Sequence, residues 1–331
     1  MDISGENIII HKDNNIYTYE FNSIKITGEK IIEMYNNHYN TFKNYFGEHE
    51  TLTYYDILTI YKRTNVFIAF GNIVNFSLLS KLKLSSPQIY EIDKCGFVQS
   101  IWGENYYHFL TEELPNIIKL KNHDPYIPLM INYNNKYIKD ILSICNFNEN
   151  SFIKRDDSHL FKVKEFYFTN MSISGKPARD DLLLVQKHLE TILGLDFTQN
   201  QSLTPIGIYI KRNEHERRVL NNDEIINHLK KNYSNIEWII FESLSMLETI
   251  KLFNVASFVI APHGAGLTNM LFCRDSTRII EFMPFSDPNE CYNHLAQMLN
   301  HKYNCIVCED SGKMNGKQMY IKMEYLDKLI S

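Results

Sequence analysis

Residues Phe258 to Phe272 read FVIAPHGAGLTNMLF: a short apolar strand runs directly into His263, Gly264, Ala265 and Gly266, then into a run with helical character. Glycines at such a junction let a backbone approach a bound group closely and adopt positive φ. The start of the next helix adds free N–H groups and a partial positive charge. Anion binding is the chemistry that suits this place. Two other readings compete for the same residues. One is an ordinary tight strand-to-helix turn in which His263 is a satisfied core histidine. The other is an oxyanion hole of the esterase kind, which fails because no G-x-S-x-G elbow occurs in the chain.

A helix terminus contributes at most about 2 kcal/mol to an anion, whereas micromolar affinity requires about 8 kcal/mol. Cationic side chains must therefore converge on the turn. The candidates follow the strand IGIYIKR: Lys211 and Arg212, then Arg217 and Arg218 in NEHERRVLNN. Charge-assisted bonds from guanidinium to phosphate contribute roughly 1.5 to 3 kcal/mol each, so two arginines and the turn suffice. A solvated basic loop balanced by Glu214 and Glu216 is the competing reading.

The elements that must hold these residues are legible from Ile206 onward, where strand and helix patterns alternate with short connections. IGIYIKR precedes NDEIINHLKKNY, EWIIFES precedes SMLETIKLFNVA, FVIAPH precedes GLTNMLF, RIIEFMP precedes ECYNHLAQMLN, and NCIVCED closes the series. This is a doubly wound α/β pattern with a mainly parallel sheet. Asn221 with Glu224 and Ser245 with Glu248 have capping-box spacing. After Ser245, the side chains of Met246, Leu247, Ile250 and Phe253 share a helix face and read as core. The first half is less regular, with short strands, a polar helix near EKIIEMYNNHYN, and further α/β segments. The interdomain region is placed near ISGKPARDD, where Gly175 and Pro177 punctuate the chain. The expected domains are 1–178, 179–310, and a C-terminal helix over 311–331 packing back on the N-terminal domain.

The chain has 331 residues, 44% hydrophobic and 13% aromatic, ample for two packed cores. Its formal charge of −5, with both signs spread along the sequence, gives no basic footprint and excludes nucleic acid as a partner. The N-terminal MDISGENIIIHKDNNIYTYEF lacks a basic region followed by an unbroken apolar segment, and no run approaches the ~20 apolar residues of a bilayer span. A cytoplasmic protein without a transmembrane span is expected. Six scattered cysteines form no disulfide framework and fit a reducing compartment. A zinc site from Cys291, His294, His301, Cys305 and Cys308 is disfavoured, because the period of a strand points Cys305 and Cys308 to opposite faces.

The series YIKRNEHERRVLNN, PHGAGLTNMLF and RIIEFMP, with the upstream WGENYYHFLTEELPNI, closely resembles glycosyltransferase family 61. Members carry Tyr-x-x-Arg before Arg-Arg-x-x-Asn, a His-Gly-Ala-Gly-Leu-Thr-Asn block, and Asn-Tyr-Tyr-His followed by a helical Glu and a Leu-Pro. The likeness runs from about Val66 to Cys308. It implies a GT-B arrangement, two Rossmann-like domains facing across a cleft, and inverting transfer of a sugar from a nucleotide-sugar donor. Known activities in the family use UDP-N-acetylglucosamine, UDP-xylose or UDP-arabinose. The chain departs from eukaryotic members in lacking a signal anchor or retention signal. That favours a bacterial or viral enzyme of capsule, lipopolysaccharide or other surface-glycan synthesis, with a saccharide or lipid-linked acceptor met at the inner membrane face.

Within that frame Arg212, supported by Arg217 or Arg218, and the backbone at Gly264, Ala265 and Gly266 are assigned to the donor diphosphate. His263 and Asn269 are further donor contacts. Glu281 is placed to accept from ribose hydroxyls, with a salt bridge to Arg278 as the alternative. Inverting displacement also needs a general base from the first domain. His108 and Glu112 stand four apart, on one helix face if the helix includes His108. His108 is favoured as base with Glu112 orienting it; Glu112 as base, or a pair serving only the helix start, remain open. Trp102, Asn105 and Tyr106 are the candidate acceptor wall, since aromatic faces suit sugar rings. With no Asp-x-Asp in the chain, arginine and the helix terminus replace a metal's charge, and a metal-independent enzyme without cofactor follows. A non-catalytic nucleotide-sugar or glycan-binding protein on the same fold is the alternative.

Overall fold

The structure, a computed structural model, describes residues 9–13, 16–21, 24–28, 60–69, 72–74, 89–98, 102–154, 160–169, 174–198, 204–212 and 215–330. The chain divides into a terminal unit, Met1–Leu52 with Leu195–Ser331, and a middle unit, Thr53–Gly194. The terminal unit opens with β1 (Ile9–Asp13), β2 (Ile16–Phe21) and β3 (Ile24–Gly28). The middle unit holds β4 (Ile60–Ala69), β5 (Asn72–Val74), β6 (Ile89–Phe97), β7 (Leu129–Ile131), β8 (Phe152–Lys154) and β9 (Leu160–Thr169). The terminal unit resumes with β10 (Ile206–Ile210), β11 (Glu237–Phe241), β12 (Phe258–Pro262), β13 (Arg278–Pro284) and β14 (Lys302–Cys308).

In the terminal unit the sheet order is β1-β2-β3-β14-β13-β12-β10-β11. Strands β10 to β14 and β3 run parallel, and β1 and β2 join antiparallel. The near-continuous apolar strings FVIAP and RIIEFMP are what a parallel strand covered on both faces requires, and every residue of β12 is buried. One face packs Ile260, Ile280, Phe282 and Ile306 against Ile225, Leu229, Tyr325 and Leu326. After β11 the chain returns to the other side of β10 to form β12, so the winding direction reverses between β10 and β12. In open α/β sheets ligands bind beyond the carboxyl ends of the strands at such a reversal. Arg212 and His263 follow those two ends directly.

The middle unit has the order β5-β4-β9-β6-β7-β8, with β9, β6, β7 and β8 parallel and β4 antiparallel to β9 and β5. Its helices are Tyr106–His108 leading through a π-helical turn Phe109–Glu113 into Leu114–His123, then Lys136–Ile144 and Arg179–Leu193. Each unit is thus α/β and Rossmann-like, as the strand and helix alternation indicates for the second half.

Several boundaries differ from the expected ones. The helix Arg179–Leu193 belongs to the middle unit, where Asp181 pairs with buried Lys119 at 2.5 Å, and it stops at Gly194 in the left-handed region (φ 66°). The N-terminal strands extend the terminal unit's sheet, a pairing over so long a sequence separation that no local pattern announces it. The C-terminal helix Met323–Ile330 packs into that same unit, burying Tyr325, Leu326, Leu329 and Ile330, with Arg278 donating to the Leu329 and Ile330 carbonyls at 2.5 and 2.9 Å. The capping box at Ser245 and Glu248 forms as expected. Asn221 does not cap its helix; its side chain instead donates to the Ile321 carbonyl (2.8 Å) and accepts from the Ile321 N–H (3.0 Å), fixing the C-terminal segment. No helix among the described residues is long and apolar enough to cross a membrane.

Buried His301 gives the fold a pH dependence. Its Nε2 donates to the Met270 carbonyl at 2.9 Å, and burial above all pushes its pKa down from 6.5 to about 4. The folded ring therefore binds its proton less readily than the unfolded one. Its contribution is full above about pH 6.5, declines as the pH falls, and is gone below about pH 4, a span on the order of 3 kcal/mol. Urea midpoints should drop between pH 7 and 4.5 further for the wild type than for His301→Gln. Equal drops would remove His301 as the cause.

Candidate active site

In the terminal unit, the guanidinium of Arg212 lies across the turn after β12, with Nη1 donating to the His263 carbonyl at 3.3 Å. The backbone of Gly264, at φ 157°, is one that L side chains rarely adopt, and a Cβ built there would also stand 2.3 Å from that Nη1. The next element, Ala265–Phe272, is a 3-10 helix rather than an α-helix, buried from Leu267 onward. Ala265 is exposed and Gly266 half-buried at the open side of the turn, while Asn269 is buried at 3% exposure.

His263 is buried, and its Nδ1 bonds to Glu281 Oε1. The second oxygen of Glu281 accepts from the Tyr303 hydroxyl at 2.5 Å. Burial above all, helped by the neighbouring carboxylate, raises the Tyr303 pKa and keeps the phenol a donor. Glu281 is 0% exposed, so the ribose contact expected of it is corrected: the carboxylate supports His263 from within. Nor does it pair with Arg278, which serves the C-terminal helix and stacks over Phe258 at 5.0 Å.

Arg217 enters from the loop after β10 with φ 57°, its N–H donating to the Gly316 carbonyl at 2.6 Å. Its charge acts on Tyr292, whose ring stands edge-on to His263 with centroids 5.1 Å apart. The Arg217 Nε is buried and makes no hydrogen bond among the described residues. Arg218 is exposed, and its carbonyl accepts from Met319 N–H at 2.9 Å. The segment after β14 also delivers Lys317, which bonds to Asp287 at 2.7 Å and lies 3.7 Å from Glu216. Burial raises the Asp287 pKa, but Lys317, Lys313 and Arg217 together hold it below the ordinary value.

In the middle unit, Asn105 begins the helix by accepting the Tyr107 N–H at 3.1 Å, so a capping role occupies a residue expected in the acceptor wall. Tyr106 packs edge-on against Tyr137 at 5.1 Å, and Trp102 is 59% exposed. Pro115 cannot donate to the carbonyl four residues back and its ring crowds that position, which accounts for the wider π-helical turn just before it. Asn116 satisfies the Glu112 carbonyl from its side chain at 2.8 Å.

That turn brings His108 and Glu112 together, with Nδ1 2.6 Å from Oε1. Glu112 side chain is 2% exposed and its Oε1 also accepts the Gly175 N–H at 2.8 Å, whereas His108 is 17% exposed. A carboxylate is an acceptor, so Nδ1 carries a proton, and in the neutral ring Nε2 then keeps its lone pair. This is the geometry of an oriented base.

The model of the glycosyltransferase 61 family matches residues 106–280, more than half of the chain. The chain belongs to glycosyltransferase family 61. Of the site residues expected from the sequence, all fall within the matched region apart from Trp102, Asn105 and Glu281, whereas Asp287, Tyr292, Tyr303 and Lys317 lie beyond it. Two curated relatives are EGF domain-specific O-linked N-acetylglucosamine transferases. That of Drosophila melanogaster is 32% identical over 96 residues, which is 29% of this chain and 18% of the relative. That of Mus musculus is 31% identical over 98 residues, 28% of this chain and 18% of the relative. The likeness thus spans less than a fifth of either relative's length.

Sequence reasoning missed Tyr303, Tyr292, Lys317, Asp287 and the Ser174–Gly175 turn. One signal was present: a lone carboxylate inside RIIEFMP, where both faces are covered, marks a buried partner. The rest are joined to the site only by tertiary contacts.

Proposed function

We propose that this family 61 chain is an inverting, metal-independent glycosyltransferase of GT-B type. In this reading the terminal unit holds a nucleotide-sugar donor and the middle unit supplies the base and the acceptor wall. The names of the relatives favour an N-acetylglucosaminyl donor; the family resemblance adds UDP as the nucleotide, with UDP-xylose as the pentose counterpart. The proposed acceptor is a saccharide or lipid-linked surface glycan met at the cytoplasmic membrane face.

One observation carries the reading: the buried Nε of Arg217 has no acceptor among the described residues, and a buried donor calls for a partner. A diphosphate beside the Gly264 turn supplies one, with Arg212 already laid across the same turn. In the transfer, an acceptor hydroxyl oxygen bonds to the anomeric carbon as the bond from that carbon to the phosphate oxygen breaks. The hydroxyl proton passes to His108 Nε2, and the nucleoside diphosphate leaves with the electron pair. Arginine charge meets the negative charge that develops on the leaving group.

Calorimetry with UDP in excess chelator tests the donor half. Arg217→Ala and Arg212→Ala should each weaken binding by about tenfold or more, the loss of one charge-assisted contact. Gly264→Ala should mimic Arg212→Ala by displacing the guanidinium. Wild-type affinity in both arginine variants, or binding restored only by a divalent ion, would overturn the assignment.

A further inference from the structure

The Ser174–Gly175 turn follows β9 and lies 63 residues beyond Glu112, outside the motifs that mark the family. We infer that this turn is a positioning element for the general base, with Gly175 N–H holding Glu112 Oε1 against His108 Nδ1 and Tyr107 clamping the turn. The inference rests on the reading of His108 as base.

A glutamate's terminal torsion is broad, and one hydrogen bond does not fix it. Here a single oxygen takes two donors from different directions, His108 Nδ1 at 2.6 Å and Gly175 N–H at 2.8 Å. The turn is held in its place by Tyr107, whose hydroxyl donates to the Gly175 carbonyl at 3.2 Å. Tyr107 is buried, and its ring stands edge-on to His108 with centroids 5.2 Å apart. Tyrosine and base therefore share one helical segment, and the turn ties them from outside it.

Gly175 has φ 79°, and a Cβ built on it would meet nothing within 4 Å. Its conformation alone asks for glycine. Ser174 Oγ stands 3.5 Å from Nδ1, a competing partner once Glu112 swings away. Loss of the amide bond then lets the imidazole sample the tautomer protonated at Nε2, which accepts no proton there.

The test is long-range proton–nitrogen NMR of the His108 ring in the full chain, with transfer kinetics alongside. The wild type should show one neutral tautomer, protonated at Nδ1. Gly175→Ala should give a tautomer mixture and lower kcat about tenfold with donor KM within about twofold. Tyr107→Phe, which keeps the buried ring, should move both readouts the same way by less, and it carries the test if Gly175→Ala fails to fold. Folded variants that keep the wild-type tautomer and kcat would overturn the inference. The tautomer is read without turnover, so a His108→Ala variant as active as wild type would count against the base assignment alone, separately from the turn.

Discussion

His108→Ala is expected to lower kcat by roughly 10²- to 10⁴-fold while leaving nucleoside diphosphate affinity within about twofold of wild type. The two effects separate because the imidazole belongs to the middle unit and the arginines to the terminal unit, so each substitution leaves the other constellation intact. Glu112→Gln should fall less, by about one to two orders of magnitude, because the amide oxygen still accepts from His108 and Gly175 but offers no charge to stabilise an imidazolium. Steady-state transfer rates and calorimetry on the same preparations decide the matter. Wild-type turnover in His108→Ala would move the base elsewhere. Loss of UDP binding together with the folded state would make the pair a structural one.

What the sequence made legible follows the range of the interactions concerned. Alternation of apolar strands and amphipathic helices from Ile206 onward is local, and the five parallel strands β10 to β14 appear where it puts them. The Ser245 and Glu248 box is equally local and forms as read. Asn221 has the same spacing, yet a tertiary partner 100 residues away takes its side chain. Pairing of β3 with β14 is farther still, and no periodicity within the first thirty residues distinguishes a strand of one unit from a strand of another. At the site, the i, i+4 spacing of His108 and Glu112 suggested their contact, but an orienting amide at Gly175 depends on where β9 ends. For Glu281 the residue type was read and its surroundings were not: the strand covers both faces, so its carboxylate faces protein instead of ribose.

Glu281 should therefore betray itself through stability before binding. Glu281→Ala removes the acceptor for both His263 and the Tyr303 hydroxyl in a fully buried setting, and a loss of about 3 to 5 kcal/mol is expected. Glu281→Gln keeps the volume and one acceptor oxygen, but its amide turns a donor toward a donor; about 1 to 3 kcal/mol is expected for the group left unsatisfied. Tyr303→Phe in the glutamine background separates the two contacts, because the phenol and the ring address different oxygens. Loosening of His263 should reach the donor turn through its carbonyl, which holds Arg212, so UDP affinity falls in the folded fraction of Glu281→Gln. Urea unfolding and calorimetry with UDP and with pyrophosphate distinguish this from a direct ligand contact. A purely structural Glu281 weakens both ligands alike, since both use the turn. If Glu281→Gln instead keeps wild-type stability and loses affinity for UDP but not for pyrophosphate, the carboxylate meets the ribose after all and the buried triad is wrong.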